Sequence, residues 1–304
     1  MYTALINYCK ENNVRCLANE PLYKHTTFRI GGNADVFVYA NSSETLSRIL
    51  KILNENTIPF MIIGKGSNLL VNDNGVKGVV VSLEEMKNIT LTGDVITAQS
   101  GAHLISLCTF AAENSLKGLE FAYGIPASVG GALYMNAGAY GGEMKDVVIG
   151  ALCITENGET VYINAKDMAL AYRSSIFKKE NYIILSVDFK LCKGEKDIIL
   201  KEMNDYFSRR KEKQPLEYGS AGSTFKRPEG YFAGALIEQN GLKGESVGGA
   251  QVSEKHAGFI INKNGATCSD VLSLIEKVKQ TVLKNNGVEL EREVILINED
   301  LSKS

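Results

Sequence analysis

The sequence predicts an α+β fold. Helix and strand signals alternate along its 304 residues without the even βαβα rhythm of a doubly wound sheet. Glycine-rich loops crowd the first half, and the pattern breaks near residues 190–200. A chain of this length accommodates two domains. The reading is therefore a region 1–195 carrying the glycine loops and a smaller domain 196–304.

Each element has its own signal. Leu46, Ile49, Leu50 and Leu53 recur at helical spacing within 43–55, with Ser42 or Ser43 as the cap. Pro59-Phe60-Met61-Ile62-Ile63 and Val79-Val80-Val81 read as buried strands. A helix over 103–114 is stopped near Gly118, and 147–163 and 181–191 are strand-rich. The helix 196–213 presents Ile199, Met203, Tyr206 and Phe207 on one face, with Pro215 beyond its end. It closes on Arg209-Arg210-Lys211, followed by Lys213, which reads as a solvated helix terminus where cations suit the dipole. The last helix, 270–285, takes Ser269 as its cap, Asp270 at its positive end and Gly287 as its stop. A final strand covers 289–297.

Composition narrows the function. With 44% hydrophobic residues, 22% charged residues and a net charge of -2, the chain lacks the cationic excess of a nucleic-acid groove or a membrane-surface protein. Met1-Tyr2-Thr3-Ala4-Leu5 has no basic start and no apolar run, so neither a signal peptide nor a membrane span is expected. Cys9, Cys16, Cys108, Cys153, Cys192 and Cys268 form no C-x-x-C pair, and several sit among apolar neighbours and read as small buried hydrophobes in a reducing cytoplasm. His25, His103 and His256 are far apart, which suggests neither a zinc site nor a Ser-His-Asp hydrolase.

The loops carry the chemistry. Gly64-Lys65-Gly66-Ser67-Asn68 can turn backbone N–H groups onto an anion, with Ser67 and Asn68 as further donors. It imitates the dinucleotide fingerprint, but Leu69 occupies the third glycine position and the turn Asn72-Asp73-Asn74-Gly75 leaves no room for a crossover helix. No Walker-type loop occurs. A second small-residue loop runs through Gly124, Pro126, Ser128, Gly130 and Gly131. Close approach to a ligand and close packing of helix on sheet both explain it. Thr26-Thr27-Phe28-Arg29-Ile30-Gly31-Gly32 adds a third glycine pair, and together these loops favour a long diphosphate-containing cofactor. In the second domain, Gly219-Ser220-Ala221-Gly222-Ser223-Thr224-Phe225-Lys226 opens the backbone around a hydroxyl that can face a ligand. Read alone, Ser223 suits a turn cap as well as a proton donor.

These motifs, with Tyr172-Arg173-Ser174-Ser175-Ile176-Phe177-Lys178, occur in an order that resembles the UDP-N-acetylenolpyruvoylglucosamine reductases, over about Tyr23 to Ile297. The resemblance implies noncovalent FAD in a flavin domain of the vanillyl-alcohol-oxidase (PCMH) type and a C-terminal domain for the UDP-sugar. It also implies the shorter subtype, since no room for a substrate-capping insert exists between Ala151 and Phe189. Ala127 stands where the family often has Gly, and Arg227 where some members have Asn.

The reaction so implied passes hydride from NADPH through flavin N5 to the enolpyruvyl ether of UDP-N-acetylglucosamine enolpyruvate, leaving carbanion character beside a carboxylate. Ser223 is then the proton donor. Arg173 is the partner of the carboxylate, through its planar fork; in isolation it reads as a surface ion pair. Glu293 shares a strand face with Glu291, and the family motif selects Glu293 as a carboxyl group that stays protonated beside the substrate. Lys213, Gln239 and Arg227 align with substrate-binding positions; Lys213 and Gln239 serve equally well as surface residues. Lys65, Asn68 and Ser128 are flavin-side candidates. No obligate protein partner and no metal is called for. Two alternatives remain at this point: an FAD-dependent oxidase of an alcohol or sugar on the same fold, and a nucleotide-binding module without turnover. His25 and His103 flank the loops without lying inside one, which weakens the first. The second leaves Ser223 and Arg173 unexplained.

Overall fold

The computed structural model describes residues 1–155 and 158–301. Residues 156 and 157 of the strand-rich stretch, and the last three residues, lie outside the described ones. The chain divides into two compact units. The first is Met1–Leu17, Val36–Lys65 and Val79–Arg210, and the second Ala18–Asp35, Gly66–Gly78 and Lys211–Ser304.

In the first unit, helices α1 (Thr3–Glu11) and α2 (Ser43–Glu55) bury Leu5, Leu46, Ile49, Leu50 and Leu53. The same core takes in Val36, Val38, Val79 and Val81. Ser42 caps α2, its Oγ accepting from the Thr45 amide at 3.1 Å. Phe60–Ile63 pairs in parallel with Val79–Ser82. A five-stranded antiparallel sheet runs in the order Thr160–Asn164, Val148–Ile154, Ile183–Lys190, Val95–Gln99, Ile89–Thr92. Helices α3 (Leu104–Glu113) and α4 (Val129–Tyr134) contribute Leu104, Leu107, Val129 and Leu133 to a core shared with Ile96, Val187 and Phe189 of that sheet. Helix α5 (Lys196–Lys213) adds Ile199 and Met203.

The second unit packs α6 (Ala233–Gln239) and α7 (Cys268–Asn286) with the sheet Ser246–Val247, Ala250–Val252, Ile260–Asn262. Its core joins Leu236, Ile237, Val271, Leu274 and Val278 to Phe28 and Leu70, which arrive from far upstream. Ile295–Ile297 pairs in parallel with Leu69–Val71.

The α+β class holds, and four details of the sequence reading change. Helix α7 starts earlier than expected. Thr267 is its cap, in a box with Asp270, and Ser269 instead gives both its amide and its hydroxyl to Asp73, at 3.0 and 3.1 Å. Asp73 also takes the Cys268 amide at 2.6 Å, so a distant carboxylate satisfies the first-turn donors. The stop at Gly287 is as read: it has the left-handed φ of 68°. Helix α3 lies within a residue of its expected bounds, but its stop is Ser115, with the left-handed φ of 56°, rather than Gly118, and the chain turns there into the short strand Leu116–Lys117. The final strand is only Ile295–Ile297, since residues 291–293 bond singly to the 224–226 segment rather than in a ladder. The basic end of α5 is not uniformly solvated: Arg209 is exposed and pairs with Asp205 at 2.7 Å, whereas Arg210 is 8% exposed.

Candidate active site

Two of the predicted loops meet in the first unit. A Cβ on Gly64 would fall 2.2 Å from the Ser128 hydroxyl, so the backbone at 64 approaches Ser128 as only glycine allows. Ser128 is buried and caps α4, its Oγ accepting from the Gly131 amide at 3.3 Å. The Gly130 amide donates to the Ser100 carbonyl at 2.9 Å, and a Cβ there would strike Ser100 Oγ at 1.8 Å. Gly130 is therefore accounted for by close packing within the chain. Lys65 pairs with Glu84 at 3.6 Å. Gly124 has φ +90° and lies against Phe207 and the stem of Arg210.

Arg173, also in the first unit, has the left-handed φ of 52°. This is uncommon for a residue with a side chain and marks a turn held from outside. The holder is Asn136, fully buried, which donates to the Ala171 carbonyl at 3.0 Å and to Glu143 at 2.9 Å. Its Oδ1 accepts from the Lys145 amide at 2.9 Å. Ser175 adds a 2.6 Å bond to the Tyr134 carbonyl, and the Lys178 ammonium donates to the Arg173 carbonyl at 2.8 Å. Glu143 is held below the usual carboxylate range by its bond from Lys145, with smaller help from Asn136 and the Arg173 charge.

In the second unit, half-buried Ser223 follows Gly222, which has the left-handed φ of 76° and where a Cβ would meet nothing within 4 Å. Thr224, 1% exposed, fixes the segment. Its amide donates to the Gly258 carbonyl at 2.8 Å, its Oγ1 accepts from the Ile260 amide at 3.0 Å, and its carbonyl accepts from the Glu293 amide at 2.9 Å. Lys226 donates its amide to the Glu291 carbonyl at 2.8 Å, and the two side chains form an ion pair. Asn68 belongs here too: its side-chain amide donates to the Glu293 carbonyl at 3.2 Å, and its own carbonyl accepts from Ile295 at 2.9 Å. The backbone thus gathers Ser223, Glu293 and Asn68. Gly66 is packed on His25 and on Thr26, the first residue of the third glycine motif, where a Cβ would meet the His25 carbonyl at 2.2 Å. Ser67 follows Gly66 in this unit. The Arg227 guanidinium covers the Phe232 ring at 4.0 Å. Lys213 and Gln239 are exposed, at the ends of α5 and α6, and Pro126 lies in the turn before α4.

Sequence reasoning missed Asn136 and Thr224 as anchors, and Arg210. The last was within reach, because Ile199, Met203 and Arg210 are the buried positions of α5 and recur at helical spacing.

The first unit fits a flavin nucleotide on its own chemistry. Arg210 is a buried cation whose Nε has no partner among the described residues, beside Tyr123, Phe207 and Tyr140. A planar, negatively charged ligand answers both features.

Known proteins agree. Residues 34–164 match the family described as FAD binding domain, and residues 214–297 match that described as UDP-N-acetylenolpyruvoylglucosamine reductase, C-terminal domain. The fold and the matched domains define an FAD-dependent oxidoreductase. A Clostridium botulinum relative named UDP-N-acetylenolpyruvoylglucosamine reductase is 51% identical over 289 residues, 95% of this chain and 94% of its own. One of the same name from Clostridium perfringens is 48% identical over 98% of each chain. The solved structure of UDP-N-acetylenolpyruvylglucosamine reductase (MurB) from Thermus caldophilus aligns at a TM-score of 0.80, with 34% identity over 93% of this chain and 98% of that one. The chain belongs to the UDP-N-acetylenolpyruvoylglucosamine reductase family. Among the described residues no helix is long and apolar enough to cross a membrane.

Proposed function

We propose that the chain reduces UDP-N-acetylglucosamine enolpyruvate to UDP-N-acetylmuramate with NADPH as the reductant, in the cytoplasm, as a step of peptidoglycan precursor synthesis. Region 1–195 holds FAD through Gly64, Lys65, Gly66, Ser67, Asn68, Gly124, Pro126, Ser128 and Gly131, with Gly130 supporting that loop through its packing on Ser100. Region 196–304 holds the substrate, with Lys213 at its diphosphate and Gln239 and Arg227 at the rest of the UDP-sugar. FAD, when bound, supplies a two-electron carrier that accepts hydride from NADPH and delivers it to the enolpyruvyl group.

The chain's residues handle charge and the proton. Arg173 sets a fixed positive fork against the substrate carboxylate and so stabilises the negative charge that spreads into it. Glu293 donates a hydrogen bond to the same group. Ser223 delivers its proton to the carbon beside the carboxylate; a carbon base held in place takes a proton from a hydroxyl that water would not. The observation that carries this reading is the bond from the Glu293 amide to the Thr224 carbonyl, 2.9 Å, which makes the serine loop and the glutamate segment neighbours.

Anaerobic stopped-flow spectroscopy of Ser223→Ala tests it. NADPH should bleach the flavin at the unaltered rate, and reoxidation by the enolpyruvyl substrate should slow by roughly 10²–10⁴. Equal slowing of both half-reactions would remove Ser223 from the proton step.

A further inference from the structure

Arg209 and Arg210 stand side by side on α5 and meet opposite fates. Arg209 reaches water and pairs with Asp205 at 2.7 Å. Arg210 is 8% exposed, and its Nε donates to nothing among the described residues. Among those residues, the group that favours its charge is the Tyr140 phenol, which carries no full charge. Tyr140 has φ 53° and stacks on Tyr206 at 4.5 Å. Phe207, next to Tyr206 on α5, closes edge-on against Tyr123 at 5.8 Å. Gly124 presses on the Arg210 stem, where a Cβ would lie 3.4 Å from its Cδ.

A guanidinium taken out of water without a counter-ion is costly, and proteins keep such groups mainly where a ligand brings the opposite charge. We infer that Arg210 is a further cofactor-binding residue, whose uncompensated charge pairs with a negatively charged oxygen of the flavin nucleotide bound by the same unit. The inference rests on the FAD reading above. The oxygen belongs either to the diphosphate or to the ring, which gains negative charge on reduction.

Arg210→Met and Arg210→Lys decide it, with the wild-type chain as reference. Apoprotein melting, FAD affinity, ADP affinity and the midpoint potential of the bound flavin are measured. The Met variant should bind FAD at least tenfold more weakly while its apoprotein melts no lower than wild type, since a desolvated charge has been removed. The Lys variant should recover most of that affinity. Loss of ADP affinity by the same factor assigns the diphosphate. Unchanged ADP affinity with tenfold weaker binding of reduced relative to oxidised flavin, read as a potential lower by about 30 mV, assigns the ring. If the Met variant keeps FAD affinity and potential within twofold of wild type, or the Lys variant binds FAD no better than Met, the inference is overturned. A wild-type chain that binds no FAD would instead overturn the parent reading.

Discussion

The Glu293 amide donates to the Thr224 carbonyl at 2.9 Å, and the Thr224 hydroxyl accepts from the Ile260 amide at 3.0 Å. One buried threonine thus ties the residue after the proposed proton donor to both the 258–260 and the 293 segments. Thr224→Val keeps the shape and leaves the Ile260 amide without its acceptor. It should cost about 1–3 kcal/mol in urea unfolding. It should also slow flavin reoxidation by substrate while sparing reduction by NADPH. A variant with native stability and native reoxidation would show that the hydroxyl positions nothing.

Asn136 holds Arg173 in much the same way. Its side chain satisfies Glu143, the Ala171 carbonyl and the Lys145 amide, and its own φ is 42°. Asn136→Ala strands those groups and leaves a Cβ in the left-handed region without the polar side chain that eases it there, so a loss of about 1–3 kcal/mol or more is expected. Asn136→Gly removes the side chain but relieves the backbone. If hydrogen bonding to the 171–175 turn is what matters, both variants should raise the KM for the enolpyruvyl substrate. An unchanged KM in the glycine variant would detach Asn136 from Arg173.

Long helices are legible in the sequence: α2 and α5 lie where the spacing of their apolar residues puts them, and α7 is found from its end signals, two residues late at its start. Helix α4 is not, because Gly130 and Gly131 sit inside it and suppress any helical signal. The final strand is shorter than its pattern because Glu291, Arg292 and Glu293 alternate like a strand but make only one antiparallel bridge, Arg292 to Phe225. At the site, residue types leave Ser223 between a turn cap and a proton donor, and only the resemblance selects the donor role and chooses Glu293 over Glu291. The link from Asn68 to Glu293 spans 225 positions and leaves no local trace. Arg210 escapes for a different reason: a charge at a helix end defaults to solvent, although its position continues the buried stripe of α5.

Gly64→Ala tests whether the two flavin-side loops depend on each other. The added methyl would meet Ser128 Oγ at 2.2 Å and Cβ at 3.3 Å. Overpacking of this kind typically costs about 1–3 kcal/mol. Ser128→Gly removes both obstructing atoms and costs only a few tenths of a kcal/mol as a cap. The double variant should therefore recover most of the stability lost in Gly64→Ala, a coupling visible in a double-mutant cycle. Simple additivity of the two losses would place the strain of residue 64 elsewhere.

His256 should make the protein sensitive to acid. Burial holds its pKa below the ordinary 6.5, with Lys243 pushing the same way and its backbone bond and Glu238 opposing. Its Nδ1 accepts from the Gly258 amide at 3.1 Å, and the Gly258 carbonyl in turn accepts from the Thr224 amide. A proton on Nδ1 would set donor against donor in the turn that supports the serine loop. The unfolded chain takes up this proton near the ordinary value, and the folded chain only at lower pH. Between the two, the unfolded state binds more protons, so stability falls as pH drops below about 6.5. His103 adds to the slope with the same sign, its pKa lowered by burial first and by Lys65 second. Urea midpoints measured from pH about 7.5 down to about 5 should decline in the wild type and decline less in His256→Gln. An equally steep decline in that variant would assign the acid sensitivity to other groups.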